Sequence, residues 1–215
     1  MKYEFTGETI QYDGHELKRI RRISDCLLGG FIESESNLAQ EGDCFVYDDA
    51  IVYGNARISG NAKVYDNAKV SGNAMVDDNA IISDDVMIYD NAKVSSSAII
   101  YGNAIICDNA KVYDEAMICD DAIIEDNAAI YGNVIVYDSA KVSSSATIYG
   151  NAIISDNAMI GGNAMIDGNA RISGNAKVYD NAIVSDEARI YGNAKVDGNA
   201  KVDGNVEIGD NTIIL

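Results

Sequence analysis

The chain has 215 residues and a net charge of −18, from 34 acidic and 16 basic side chains, with 47% apolar residues, one His, and no Pro or Trp. No apolar run reaches the roughly 18 residues of a membrane span, and a chain this negative is a poor partner for nucleic acid or an anionic membrane. The single His excludes a three-His zinc centre, and the opening Met-Lys-Tyr-Glu-Phe has no secretory-leader core. Cys26, Cys44, Cys107 and Cys119 form no Cys-x-x-Cys pair and read as reduced thiols. The expectation is an acidic, cytoplasmic globular protein with no bound metal, nucleic acid or membrane.

Residues 1–43 come first and carry no strict period. Tyr3 and Phe5 alternate with polar residues, and Tyr12-Asp13-Gly14-His15 carries an Asp-Gly hairpin signal. Leu17 to Ile23 reads as the return strand. Ile32 and Leu38 stand six apart, so an irregular first coil begins there. The segment is expected to be a small β cap over strand edges that would otherwise be bare. His15 reads as an exposed turn residue. Lys18, Arg19, Arg21 and Arg22 are the one basic cluster. They serve either as a solvated cap strand offsetting the acidic body or as an anion or partner patch.

Residues 44–215 follow a strict repeat. Every sixth residue from Val46 to Ile214 is Val or Ile, and two residues before each of those from Val52 onward sits a small residue, usually Ala. Ahead of the small residue comes mostly Asn, and ahead of the Asn mostly Gly or Asp. A period of six suits strands and not helices. The β-branched residue fits a strand centre, and Gly, Asp and Asn tolerate the positive φ of a sharp corner. Each hexad is one short strand and one turn, too short for hairpins, so the chain winds as a coil. The Asn rows are expected to stack as hydrogen-bonded ladders.

This unit, [Val/Ile]-x-[Gly/Asp]-Asn-Ala-x, resembles the hexapeptide repeat of the left-handed parallel β-helix superfamily. The resemblance implies an all-β, single-stranded left-handed parallel β-helix with triangular coils of 18 residues, the aliphatic residue inward and the small residue at the inner corner. The run Gly29-Gly30-Phe31-Ile32-Glu33, followed by Asn37 to Asp48, is similar to the lead-in of the YdcK-like bacterial proteins. Those proteins are labelled as transferases, and the resemblance brings no motif with known catalytic residues.

An interior of Val, Ile and Ala leaves no room for a ligand, so function belongs to the outer faces, the ends or contacts between subunits. Many proteins of the superfamily are acyltransferases that use a CoA-type thioester, and that chemistry usually needs a His base. The repeat has no His, no inserted loop and no metal set, so no catalytic or cofactor-binding residue is assigned. Glu115, Glu125 and Glu187 are the remaining candidates for a base, and Glu115 and Glu187 occupy corner positions. Corner residues Asp197, Asp203 and Asp210 are weak candidates for binding a cation. On one face, Ile81, Ile99, Met117, Ile135 and Ile153 make an apolar stripe, with Tyr101, Cys119 and Tyr137 beside it. Ile81, Ile99, Tyr101, Met117, Ile135, Tyr137 and Ile153 are the expected oligomer interface, a trimer as in the superfamily. Ile213, Ile214 and Leu215 offer an edge for end-to-end dimers. A non-catalytic, self-assembling scaffold or binding module is the favoured expectation; the alternative is an acyltransferase with a CoA thioester as cofactor.

Overall fold

The computed structural model describes residues 1–215 and is all β, apart from a single 3-10 turn at Glu35–Asn37. Strands β1 (Tyr3–Tyr12) and β2 (His15–Arg22) form an antiparallel hairpin in which Tyr12 faces His15. Asp13 (φ 50°) and Gly14 (φ 81°) both adopt the left-handed conformation that a two-residue type I′ turn requires. The return strand therefore starts two residues before Leu17, and its register slips between Arg19 and Arg21. Strand β3 (Leu28–Ile32) pairs antiparallel with β2 and parallel with Ile51–Val52, which joins the hairpin to the repeat.

From Phe45–Val46 to Ile213–Ile214 the strands are two residues long. Each pairs in parallel with the strand 18 residues away, as Ile81 does with Ile99 and Ile135 with Ile153. The result is three sheets, of 13, 10 and 9 strands, winding as a β-solenoid of about ten turns. The lead-in belongs to it: Ile32 faces Val52 and Leu38 bridges to Ile58. Val46 already faces Val64 in the 18-residue register. The two extra residues of the first turn thus lie between Leu38 and Val46.

Two periodicities make the coil. The Val/Ile row is buried from Val46 to Ile208 and the small-residue row from Ala50 to Ala200, and together with Tyr3, Ile20, Ile32, Leu38, Cys44 and Phe45 they form a core of 60 residues. Fully burying one Val or Ile stabilises by about 1.5–3 kcal/mol. At the corners the residue after the outward strand position has positive φ, held by Gly (Gly72, 67°), Asp (Asp138, 56°) or Ser (Ser144, 60°). The following Asn side chains form the expected ladders, as in Asn55 to Asn73 to Asn91 to Asn109, where Nδ2 donates to Oδ1 at 3.0, 2.9 and 3.2 Å.

The hairpin closes the near end. Tyr3 and Ile20 join the main core, and the Tyr3 hydroxyl donates to the Leu38 carbonyl at 3.1 Å. Asn37 is fully buried and satisfied: its Nδ2 donates to the Gly54 and Ala56 carbonyls at 3.0 and 2.9 Å, and its Oδ1 accepts from the Ser34 amide at 2.8 Å. This plug ties the 3-10 turn to the first regular coil.

Candidate functional site

A filled interior leaves three outer features, of which the first is the overhang of the hairpin turn. A cleft of about 270 Å³ runs between that turn and the sheet beneath it, lined among others by Tyr12, Asp13, Tyr53, Lys69 and Tyr89. Tyr12 and Tyr53 meet edge to face at 5.7 Å, and the Lys69 ammonium lies 5.2 Å from the Tyr12 ring centre. The Tyr53 hydroxyl donates to Asp13 at 3.4 Å, and burial pushes that phenol's pKa up.

His15 sits beside this cleft and is not the exposed turn residue its sequence position suggests. Its Nδ1 is 3.0 Å from Glu33 Oε1, its ring is 5.0 Å from Tyr53, and its side chain is 37% exposed. The other Glu33 oxygen accepts from the Gly54 amide at 2.7 Å. The His15 bond first, and the Gly54 amide second, hold the Glu33 carboxyl below its ordinary range. A carboxylate that fixes an imidazole is the orienting half of general-base chemistry. No sequence signal pointed to this pair, because the hairpin register and the path of β3 bring the two residues together.

The basic cluster is spread out and largely neutralised. Arg19 reaches Glu8 and Asp49 at 3.5 and 3.4 Å and stacks over Phe31, while its buried Nε has no hydrogen-bond partner. Arg21 pairs with Glu4. Arg22 pairs with Asp25 at 2.6 Å, which holds that carboxyl at about 2, and it also lies over Phe45. Lys18 has no carboxylate and stands 5.5 Å from the Phe5 ring centre.

The apolar stripe is present in the stated register. Ile81 is exposed, and Ile99, Met117, Ile135, Ile153, Tyr101 and Tyr137 are half-buried. Cys119 is not part of that surface: it is buried, its thiol donates to Asp120 Oδ2 at 3.6 Å, and its nearness to the Tyr101 hydroxyl raises that phenol's pKa to about 12. Cys107 and Tyr89 repeat the arrangement on another sheet; burial lifts that thiol to about 11. At the far end Ile213 and Leu215 are exposed and Ile214 is half-buried.

The remaining candidates have local partners or none. Glu125 pairs with Lys141 at 2.6 Å, Asp203 with Lys201 at 3.0 Å, and Asp197 with Lys195. Glu115, Glu187 and Asp210 form no ion pair. No group of three or more His, Cys, Asp or Glu side chains stands ready for a metal ion, and no helix is long and apolar enough to cross a membrane.

These features define the class: a hexapeptide-repeat β-solenoid with a β cap. Within the repeat, residues 170–186 match the family described as the YdcK beta solenoid repeat. No curated protein matches the chain. Among solved structures, a UDP-N-acetylglucosamine acyltransferase from Campylobacter jejuni is similar over 79% of this chain and 68% of that one. The identity is 19% and the TM-score 0.32, a likeness too slight to bear on activity.

Proposed function

We propose that the protein is a non-catalytic, self-assembling scaffold or binding module whose working surfaces are its outer faces. The observation that carries this reading is the unbroken apolar stripe from Ile81 to Ile153, on a face with no loop to cover it. Contiguous apolar surface of a few hundred Å² marks interaction sites on soluble proteins. The partner is a second copy of the chain, in a trimer or an end-to-end dimer. Replacing Ile99 and Ile135 together by Lys separates a homo-oligomer into monomers in light scattering; an unchanged mass refutes the assignment.

One observation favours a second reading, a transferase that uses a CoA-type thioester. It is the His15–Glu33 pair beside the tyrosine-lined cleft. Calorimetric titration with coenzyme A separates the two readings. Binding that is lost in His15→Ala supports the enzyme, and no heat at millimolar ligand supports the scaffold.

A further inference from the structure

Three of the four thiols have settled surroundings, and one does not. Cys107 and Cys119 lie under tyrosines next to acidic corners, and Cys26 is exposed with no basic side chain bonded to it. Cys44 alone faces an amine. The Lys2 Nζ is 3.0 Å from the Cys44 sulfur, and its other contacts are the carbonyl oxygens of Glu41 and Gly42 at 3.5 and 3.4 Å. Lys2 has no carboxylate partner, in a chain with a twofold excess of acids. The thiol also makes weak contacts to the Ala39, Glu41 and Ile58 carbonyls at 3.6–3.7 Å, sharing the Glu41 oxygen with the Lys2 amine. Both side chains line a cleft of about 250 Å³ with Arg22 and Lys63; Cys44 itself is fully buried, so a small oxidant in the cleft reaches the sulfur when the Lys2 side chain swings aside.

We propose that Lys2 and Cys44 form a redox-reversible covalent cross-link that fastens the first strand to the lead-in turn. The oxidant class is a peroxide. The Cys44 thiolate attacks the peroxide oxygen, the O–O bond breaks, and the thiol becomes a sulfenic acid while the other oxygen leaves as water. The Lys2 nitrogen, once deprotonated, then attacks that sulfur. An S–N bond forms, the S–O bond breaks, and the hydroxyl leaves as water with one N–H proton. One peroxide is reduced to two waters, and the thiol and amine together lose two hydrogens. A sulfenic acid condenses with whichever nucleophile is in reach, and a backbone nitrogen is a known acceptor. Here the amine already stands in contact, and no second cysteine is bonded to Cys44. The link spans the segment in which the chain passes from the cap to the first coil, so it pins β1 where Tyr3 enters the core.

The test treats the full chain with a small excess of hydrogen peroxide, followed by mass spectrometry of the intact protein and of its peptides. The expected product is lighter than the reduced chain by two hydrogens. It contains a Lys2–Cys44 linked peptide, resists tryptic cleavage after Lys2, and returns to the starting mass with dithiothreitol. Lys2→Arg, which keeps the charge, and Cys44→Ser both abolish the linked peptide, whereas Cys26→Ser retains it. Recovery of unlinked Cys44 as sulfinic acid from the wild-type chain overturns the proposal, as does an unmodified Cys44. Matching circular dichroism spectra of Lys2→Arg and wild type exclude misfolding as the cause of a lost link.

Discussion

Ile118 lies at mid-height in the inward stack and is completely buried between Ile100 and Val136, with Ala116 at the adjoining corner. Truncation to Ala removes three carbon atoms, a transfer loss of about 2.4 kcal/mol at ~0.8 kcal/mol for each. The cavity adds to this, because the backbone on both sides is fixed by parallel pairing and cannot collapse inward. Ile→Ala is therefore expected to cost about 3–4 kcal/mol, and Ile118→Val about 1 kcal/mol. In a solenoid each turn contacts only its neighbours, so the loss weakens a local interface first. Equilibrium urea unfolding gives the total, and amide exchange locates it in the coils around residues 100–136. A cost below about 1 kcal/mol for the Ala variant would refute the claim that the core is filled and unable to relax.

The corner hydrogen bonds make a second expectation: Asp138 Oδ2 accepts from the Asp156 amide at 3.2 Å, so Asp138→Gly, which keeps positive φ available, costs about 0.5–1.5 kcal/mol in the same unfolding assay. Asp138→Val costs more, because a β-branched residue resists the left-handed region. In alkaline titration followed by phenolate absorbance, Tyr3, Tyr89 and Tyr101 ionise last, at about 12, Tyr3 because it is buried and Tyr89 and Tyr101 because each stands beside a thiol. Their raised values favour the fold below the ordinary tyrosine range, and that contribution disappears as pH rises through 12; Cys119→Ala brings Tyr101 down. Glu33 titrates below free glutamate, so its contribution is complete above the ordinary carboxylate range and is lost as pH falls through the lowered value. In His15→Ala the Glu33 midpoint, read by NMR, moves up, and a stationary midpoint refutes the pairing.

The solenoid was legible because its cause is local and repeated. A Val or Ile every six residues fixes which side faces inward, and Gly or Asp fixes where the chain bends. The Asn ladders were equally visible, since identical residues 18 apart must stack once the coil closes. The cap was legible only in part. Asp13-Gly14 announced the hairpin, but nothing in residues 1–23 says which sheet the hairpin extends or that Tyr3 and Ile20 turn into the core. The His15–Glu33 and Lys2–Cys44 contacts depend on that placement and join residues 18 and 42 apart. The apolar stripe was readable in register, yet Cys119 left it because Tyr101, one turn earlier, lies over the thiol. Residue spacing gives the row, and the size of the neighbouring side chain decides exposure.

The acidity follows from the same corner geometry. Asp48 Oδ2 accepts from the Asp66 amide, Asp66 from Asp84, and Asp84 from Gly102, at 3.3, 3.2 and 3.0 Å. The short carboxylate at a left-handed corner satisfies a backbone donor one coil on, which Gly cannot do. Each such bond places a negative charge one coil, ~4.8 Å, from the next. At that spacing like charges repel, and the exposed part of the repulsion is screened by salt. The ladders therefore hold the corners while their charges press the coils apart. The thermal midpoint should rise as sodium chloride increases from about 10 mM to 0.5 M, a range over which the Debye length falls from ~30 Å to a few Å. A falling midpoint would mean that the Lys–Asp and Arg–Glu pairs outweigh the repulsion along the corner rows.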